Sequence, residues 1–184
     1  MARIYMVRHG RASAAYGEGM DPGLAAQGHE QAAAVAQKLR PLGPLTILSS
    51  PMRRTQETAA PLAKLWSRPP IIEPAVAEIP SPAGMTLEGR AEWLRGLMAG
   101  SWRGATRELA EWREACIASV AGLKADTVIF SHFVAINVVA GGATGDDRVV
   151  SFSPEYCSVT TFETDGVILR LVDKGSEAPL TKVN

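Results

Sequence analysis

Two histidines stand at equivalent places in this sequence, and their settings point to chemistry on an anion. His9 directly follows the segment IYMVR, and His132 directly follows TVIFS. Short runs of this kind indicate buried strands. Because ligands of α/β sheets bind at the carboxyl ends of the strands, both histidines are candidates for one site. The third histidine, His29, lies in a helical pattern beside Gln27 and Glu30, which favours a solvated polar face.

The residues around His9 favour a bound phosphate. Arg8 and Arg11 place guanidinium groups on either side of His9 and Gly10. A guanidinium presents a planar fork of donors that matches phosphate oxygens. A glycine lets the backbone approach a ligand closely.

A second pair of arginines follows another predicted strand. Ser50 and Pro51 predict a helix start, with the serine as N-cap and the proline at the first helical position. Arg53 and Arg54 then lie in the first turn, where the free amides and the helix dipole attract anions. Adjacent helical residues point about 100° apart, so only one of the two arginines can face the pocket.

These residues predict an oxyanion site with an imidazole nucleophile. A neutral imidazole can attack phosphorus and form a phosphohistidine, which divides one displacement into two. The arginines and the second histidine would neutralise the equatorial oxygens as charge redistributes. A carboxylic acid with a pKa raised by burial would protonate the leaving oxygen. Neither histidine belongs to an HxH or HExxH arrangement, so we expect no metal and no other cofactor.

Alternating strand and helix patterns must position these side chains. The patterns predict helices at residues 24–39, 50–66, 85–99, 106–122 and 133–140, and strands at residues 4–7, 45–48, 71–72, 127–131, 157–163 and 167–172. Asp165–Gly166 between the last two strands is a strong hairpin signal. The alternation predicts an α/β three-layer sandwich, with a mostly parallel central sheet, helices on both faces and a C-terminal hairpin.

The composition is that of an ordinary globular protein. The 184 residues fit a single domain spanning residues 1–184. Lys plus Arg equals Asp plus Glu at 19 each, so net charge offers no general attraction for nucleic acid or an anionic membrane. No secretory signal or membrane-spanning run is evident, and Cys116 and Cys157 lack a CxxC spacing. We therefore expect a cytoplasmic protein with reduced thiols, as a monomer or a homodimer.

Four motifs, taken in order, resemble those of the histidine phosphatase superfamily, also called the phosphoglycerate mutase-like family. Arg8-His9-Gly10 is similar to its RHG motif at the end of the first strand. LAAQGHEQA, at residues 24–32, resembles its L-T-x-x-G-x-x-Q-A helix start. SPMRRTQETA, at residues 50–59, resembles S-P-x-x-R-A-x-x-T-A, which singles out Arg54. His132 falls where the family has its second histidine.

The resemblance implies roles for the site residues. His9 would accept the phosphoryl group, and Arg8, Arg54 and His132 would bind it. The family's proton donor is typically a glutamate after the third extended segment, which points to Glu78 in AVAEIPSP.

Other positions define the predicted pocket or depart from the family pattern. Glu88 is the fallback proton donor, and with Arg11 it is expected to line the substrate pocket. Ala12 stands where the family often has a hydroxyl, and Phe133 stands where it usually has glycine. These departures weaken any transfer of substrate identity.

The leading interpretation is a metal-independent phosphatase of the histidine acid phosphatase type, acting on a small phosphomonoester or on phosphohistidine. One alternative is a phosphoglycerate mutase-type phosphotransferase, although the mutases are generally longer and short family members are mostly phosphatases. The other alternative is a catalytically silent phospho-ligand binding protein, which keeps the anion pocket but lacks a working acid.

Overall fold

A six-stranded mixed sheet organises the fold. A computed structural model describes residues 1–14 and 21–179. In chain order the strands and helices are β1 (Ala2–Arg8), α1 (Ala26–Leu39), β2 (Thr46–Ser49), α2 (Arg53–Trp66), β3 (Ile71–Ile72), α3 (Leu87–Met98), α4 (Arg107–Ala121), β4 (Thr127–Ser131), α5 (Phe133–Thr144), β5 (Val159–Thr164) and β6 (Leu169–Asp173). The strand order is β3-β2-β4-β1-β5-β6; neighbours among the first four strands pair in parallel, and β5 pairs antiparallel with both β1 and β6. The predicted architecture is confirmed.

Both faces of the sheet are covered, because the central strands carry apolar side chains on both sides. On one face, Met6 and Ile129 belong to a core shared with α3, α4 and α5. On the other face, Val7 and Phe130 belong to a second core shared with α1 and α2. The five residues of β4 are all buried. The central strands are therefore clamped between two helical layers.

The register of the parallel strands sets where their polar ends emerge. Arg8 pairs with Ser131 across β1 and β4, and Ser49 pairs with Phe130 across β2 and β4. The residues that follow these three strands consequently leave the sheet at one edge.

Three helices begin two or three residues later than the sequence predicts: α1 at residue 26 rather than 24, α2 at 53 rather than 50, and α3 at 87 rather than 85. The N–H of Leu24 donates to Glu57 Oε2 at 2.6 Å, and Leu24 forms an isolated bridge with Ala12, so α1 begins only at Ala26. In α2 the N-cap is Met52, with an extended backbone, so the prediction of Ser50 as N-cap is wrong.

Two further predictions concern membranes and thiols. Among residues 1–14 and 21–179, no helix has both the length and the apolar character needed to cross a bilayer.

Cys116 and Cys157 are free thiols, and burial raises the pKa of each to about 12. Both groups are therefore poor nucleophiles at neutral pH.

Candidate active site

His9, Arg54 and His132 converge at the carboxyl edge of the sheet. His9 follows β1, His132 lies between β4 and α5, and Arg54 is the second residue of α2. The two imidazole centroids are 5.2 Å apart. Arg54 Nε lies 3.2 Å from His9 Nε2, and Arg54 Nη2 lies 3.2 Å from His132 Nδ1. All three side chains are buried, so the structure brings together three residues that the sequence predicted to share a site.

The two adjacent arginines of α2 point in different directions, as helical geometry requires. Arg53 Nε donates to Glu57 Oε1 at 2.7 Å, and its side chain is 66% exposed. Arg54 is 6% exposed. Thr58 Oγ1 donates to the Arg54 carbonyl at 2.6 Å and accepts from the Gly10 N–H at 3.0 Å. This hydroxyl therefore ties the start of α2 to the residue after His9.

Two glycines let the segment after β1 lie directly on α1. A Cβ on Gly10 would lie 2.7 Å from the carbonyl oxygen of Gly28, and a Cβ on Gly28 would collide with the carbonyl of Arg11. The close approach explains why both sequence motifs carry a glycine at these positions.

One hydrogen bond decides which nitrogen of His9 is reactive. Nδ1 lies 2.8 Å from the carbonyl oxygen of Gly10. A carbonyl oxygen only accepts, so Nδ1 carries the proton and Nε2 keeps its lone pair, facing Arg54. Burial, followed by the neighbouring His132 and Arg54, lowers the pKa of His9 well below 6.5. The imidazole is therefore neutral and nucleophilic at neutral pH.

His132 has a partner on each ring nitrogen. Nη2 of Arg54 only donates, so Nδ1 of His132 accepts, and Nε2–H donates to Ser50 Oγ at 2.8 Å. Burial, then the charges of Arg54 and Arg8, lowers the pKa of His132 well below 6.5. Ser50 Oγ also accepts the N–H of Met52 at 3.3 Å, one residue before α2 begins.

Glu78 reaches the same cluster from the loop after β3. Oε2 lies 3.6 Å from His132 Nδ1 and 3.8 Å from Arg54 Nη2. Oε1 accepts the N–H of Ile79 at 3.0 Å. The residue is 7% exposed. Because Ile79 occupies Oε1, Oε2 is the oxygen that faces the histidine and the arginine.

Arg8 approaches the site from the end of β1. Its Nη1 donates to the Pro154 carbonyl at 2.9 Å. Its guanidinium carbon lies 3.9 Å from the ring centroid of Tyr156 and 5.1 Å from that of Phe133. Burial lowers the pKa of Arg8 below its ordinary value. The guanidinium is thus held by the segment before β5 and by two aromatic rings.

Comparison with known proteins identifies the family of this arrangement. A family model of the histidine phosphatase superfamily (branch 1) matches residues 4–174. The chain belongs to the histidine phosphatase superfamily. The predicted resemblance is confirmed.

One curated relative of this histidine phosphatase superfamily member is the PE-PGRS family protein PE_PGRS11 of Mycobacterium tuberculosis, 41% identical over 87 residues. That match covers 41% of this chain and 15% of the relative, so the chain spans a small part of the relative's length.

Several solved structures share the fold. A mycobacterial glucosyl-3-phosphoglycerate phosphatase in complex with inorganic phosphate is 19% identical, with a TM-score of 0.74 over 96% of this chain and 98% of that chain. A phosphoserine phosphatase from Entamoeba histolytica, in complex with 3-phosphoglyceric acid, is 20% identical, with a TM-score of 0.73 over the same shares. YhfR from Bacillus stearothermophilus is 19% identical, with a TM-score of 0.77 over 97% and 98%. At these identities the likeness establishes the fold.

Two predicted pocket residues lie outside the buried cluster. Arg11 is exposed, and its Nη1 donates to Gln27 Oε1 at 3.0 Å. Glu88 is exposed in the first turn of α3. Glu78, rather than Glu88, is therefore the carboxylate that the fold delivers to His132 and Arg54.

Two site residues were missed by the sequence interpretation. Ser50 directly follows β2, as His9 follows β1 and His132 follows β4, so the rule that found the histidines also applies to this serine. Tyr156 carries no comparable signal, because it lies in an irregular segment far along the chain from Arg8.

Proposed function

We propose that this chain is a metal-independent phosphatase that hydrolyses a small phosphomonoester, or phosphohistidine, through a phosphohistidine intermediate on His9. The observation that carries the proposal is the state of the His9 ring. Its Nδ1–H donates to the Gly10 carbonyl, and its unprotonated Nε2 accepts a hydrogen bond from Arg54 Nε, 3.2 Å away. A phosphoryl group bound by Arg54 and His132 would meet a neutral nucleophile already aimed at it.

In the first step His9 Nε2 bonds to phosphorus while the bond from phosphorus to the leaving oxygen breaks. Arg54 and His132 stabilise the charge on the equatorial oxygens. The leaving oxygen takes a proton from Oε2 of Glu78, the oxygen that faces these two residues.

In the second step the Glu78 carboxylate accepts a proton from water, whose oxygen attacks phosphorus. The nitrogen–phosphorus bond breaks, inorganic phosphate is released, and His9 returns to its neutral form. Glu78 is then protonated again for the next cycle.

The test is phosphate release from p-nitrophenyl phosphate, alkyl phosphates and a phosphohistidine peptide, with EDTA present throughout. We expect turnover, and rapid quenching should trap one phosphoryl group on His9. Interconversion of 2- and 3-phosphoglycerate faster than phosphate release would identify a mutase instead. Tight phosphate binding without turnover of any ester would identify a silent binding protein. Activity that EDTA removes and a metal restores would contradict the proposal.

The lowered pKa values of His9 and His132 predict a pH-dependent stability. An unfolded histidine has a pKa of about 6.5, and both folded values lie well below this. At pH values between the folded and the unfolded pKa, the unfolded chain binds more protons than the folded chain, so the free energy of unfolding rises with pH. The stabilisation that the neutral histidines contribute is therefore lost as pH falls below about 6.5. Each histidine can contribute up to about 1.4 kcal/mol per pH unit in that window.

Urea unfolding at a series of pH values measures this slope. We expect a shallower slope in His9→Asn than in the native chain. His29→Asn makes the same substitution at an exposed histidine and is the matched control for the chemical change itself. An undiminished slope in His9→Asn would show that His9 is not held neutral by the fold.

A further inference from the structure

Residues 174–178, here called the C-terminal strap, pack against the segment before β5 that contacts Arg8. We propose that the strap positions Arg8 and thereby sets the affinity of the site for phosphate. This inference rests on the proposed phosphate site. The family match ends at residue 174, so every residue of the strap except Lys174 lies beyond it.

Main-chain hydrogen bonds join the strap to the segment before β5. The N–H of Glu155 donates to the carbonyl of Ser176 at 3.0 Å, and the N–H of Ala178 donates to the carbonyl of Ser153 at 2.8 Å. These two bonds form an antiparallel bridge centred on Pro154. The strap therefore acts as a short added strand that holds residues 153–155 in place.

Side-chain and backbone features anchor the strap itself. Glu177 Oε2 accepts the N–H of Ser153 at 3.2 Å, and Thr160 Oγ1 donates to the carbonyl of Lys174 at 3.1 Å. Gly175 has a φ of +73°, and a Cβ there would collide with the carbonyl oxygen of Val159. Glycine is thus required where the chain turns from β6 into the strap.

The supported segment is the one that orients Arg8. The carbonyl of Pro154, at the centre of the bridge, accepts from Arg8 Nη1, and the ring of Tyr156 lies against the guanidinium. Arg8 Nε is buried and has no hydrogen-bond partner among residues 1–14 and 21–179. Buried donors are normally satisfied, so Arg8 has a spare donor that a phosphoryl oxygen would satisfy.

Loosening the strap should weaken phosphate binding because charge-assisted hydrogen bonds depend on the orientation of the guanidinium. The decisive comparison is between a chain ending at Lys174, which lacks most of the strap, and a chain ending at Pro179, which keeps it. We expect the Kd for inorganic phosphate, measured by calorimetry, to be about tenfold higher without the strap. The KM for p-nitrophenyl phosphate should rise more than kcat falls.

A cycle with Arg8→Ala separates positioning from general damage. If the strap acts through Arg8, its removal causes no further loss of phosphate affinity in the Arg8→Ala background. The same tenfold loss in that background would overturn the proposal, as would an unchanged Kd in the chain ending at Lys174.

A pair of point variants covers the case in which the shortened chain does not fold. Gly175→Ala should raise the phosphate Kd in the same direction, whereas Ser176→Ala should not, because Ser176 contributes its carbonyl and not its hydroxyl. Equal Kd values for the two variants would contradict the proposal. A native chain that binds phosphate but hydrolyses no ester would refute the phosphatase function and leave the strap test intact.

Discussion

His9→Ala should lower kcat/KM for p-nitrophenyl phosphate by about 10⁴-fold or more, because it removes the atom that bonds to phosphorus. Arg8, Arg54 and His132 can still bind the anion, so we expect the Kd for inorganic phosphate to change far less than the rate. The assay is p-nitrophenol release with EDTA present, at equal concentrations of folded native and variant protein.

His29→Ala is the matched control for His9→Ala. It makes the same chemical change at an exposed histidine on α1, with Glu57 3.9 Å away as its ion-pair partner, and it should keep native activity. If His9→Ala were as active as the native chain, His9 would not be the nucleophile and the proposed mechanism would be wrong.

Glu78→Gln should lower hydrolysis of alkyl phosphates by about 10²–10⁴-fold, because the alkoxide needs a proton as it leaves. The loss for p-nitrophenyl phosphate should be much smaller, since p-nitrophenolate is a stable leaving group. Glutamine keeps the shape of the side chain and an acceptor for the Ile79 N–H, but it has no carboxyl proton to donate. The measurement is kcat/KM for esters with a series of leaving-group pKa values.

Glu88→Gln is the matched control for Glu78→Gln. The substitution is identical, but Glu88 is exposed in the first turn of α3, so its leaving-group dependence should match that of the native chain. Equal losses of Glu78→Gln on p-nitrophenyl and alkyl phosphates would remove Glu78 from the mechanism. A selective loss in Glu88→Gln would transfer the role to the fallback residue.

Local patterns were sufficient to predict the scaffold and the centre of the site. Short apolar runs in the sequence predict buried strands. A histidine directly after such a run therefore lies at the carboxyl end of the strand, where ligands bind. The choice between Arg53 and Arg54 followed from the motif and from helical geometry, which separates neighbours by about 100°. The Asp165–Gly166 turn likewise predicted the hairpin of β5 and β6.

Other features depended on contacts between distant segments. A serine before a proline is a good N-cap in isolation, but α2 starts only at Arg53, and Ser50 lies instead 2.8 Å from Nε2 of the buried His132. Sequence also left two glutamates as candidate acids. Only the path of the loop after β3 decides that Glu78 meets Arg54.

The sequence alone thus determined the fold class, the nucleophile candidate and the residues that would bind an anion, because strand and helix periodicity and motif spacing are local properties. The surroundings of Arg8 were decided by tertiary structure. β5 pairs antiparallel with β1, with Val7 opposite Val159, so the residues that precede β5 meet the residue that ends β1. That pairing brings Pro154 and Tyr156 to a guanidinium about 150 positions earlier in the chain, and no local pattern encodes a contact over that separation.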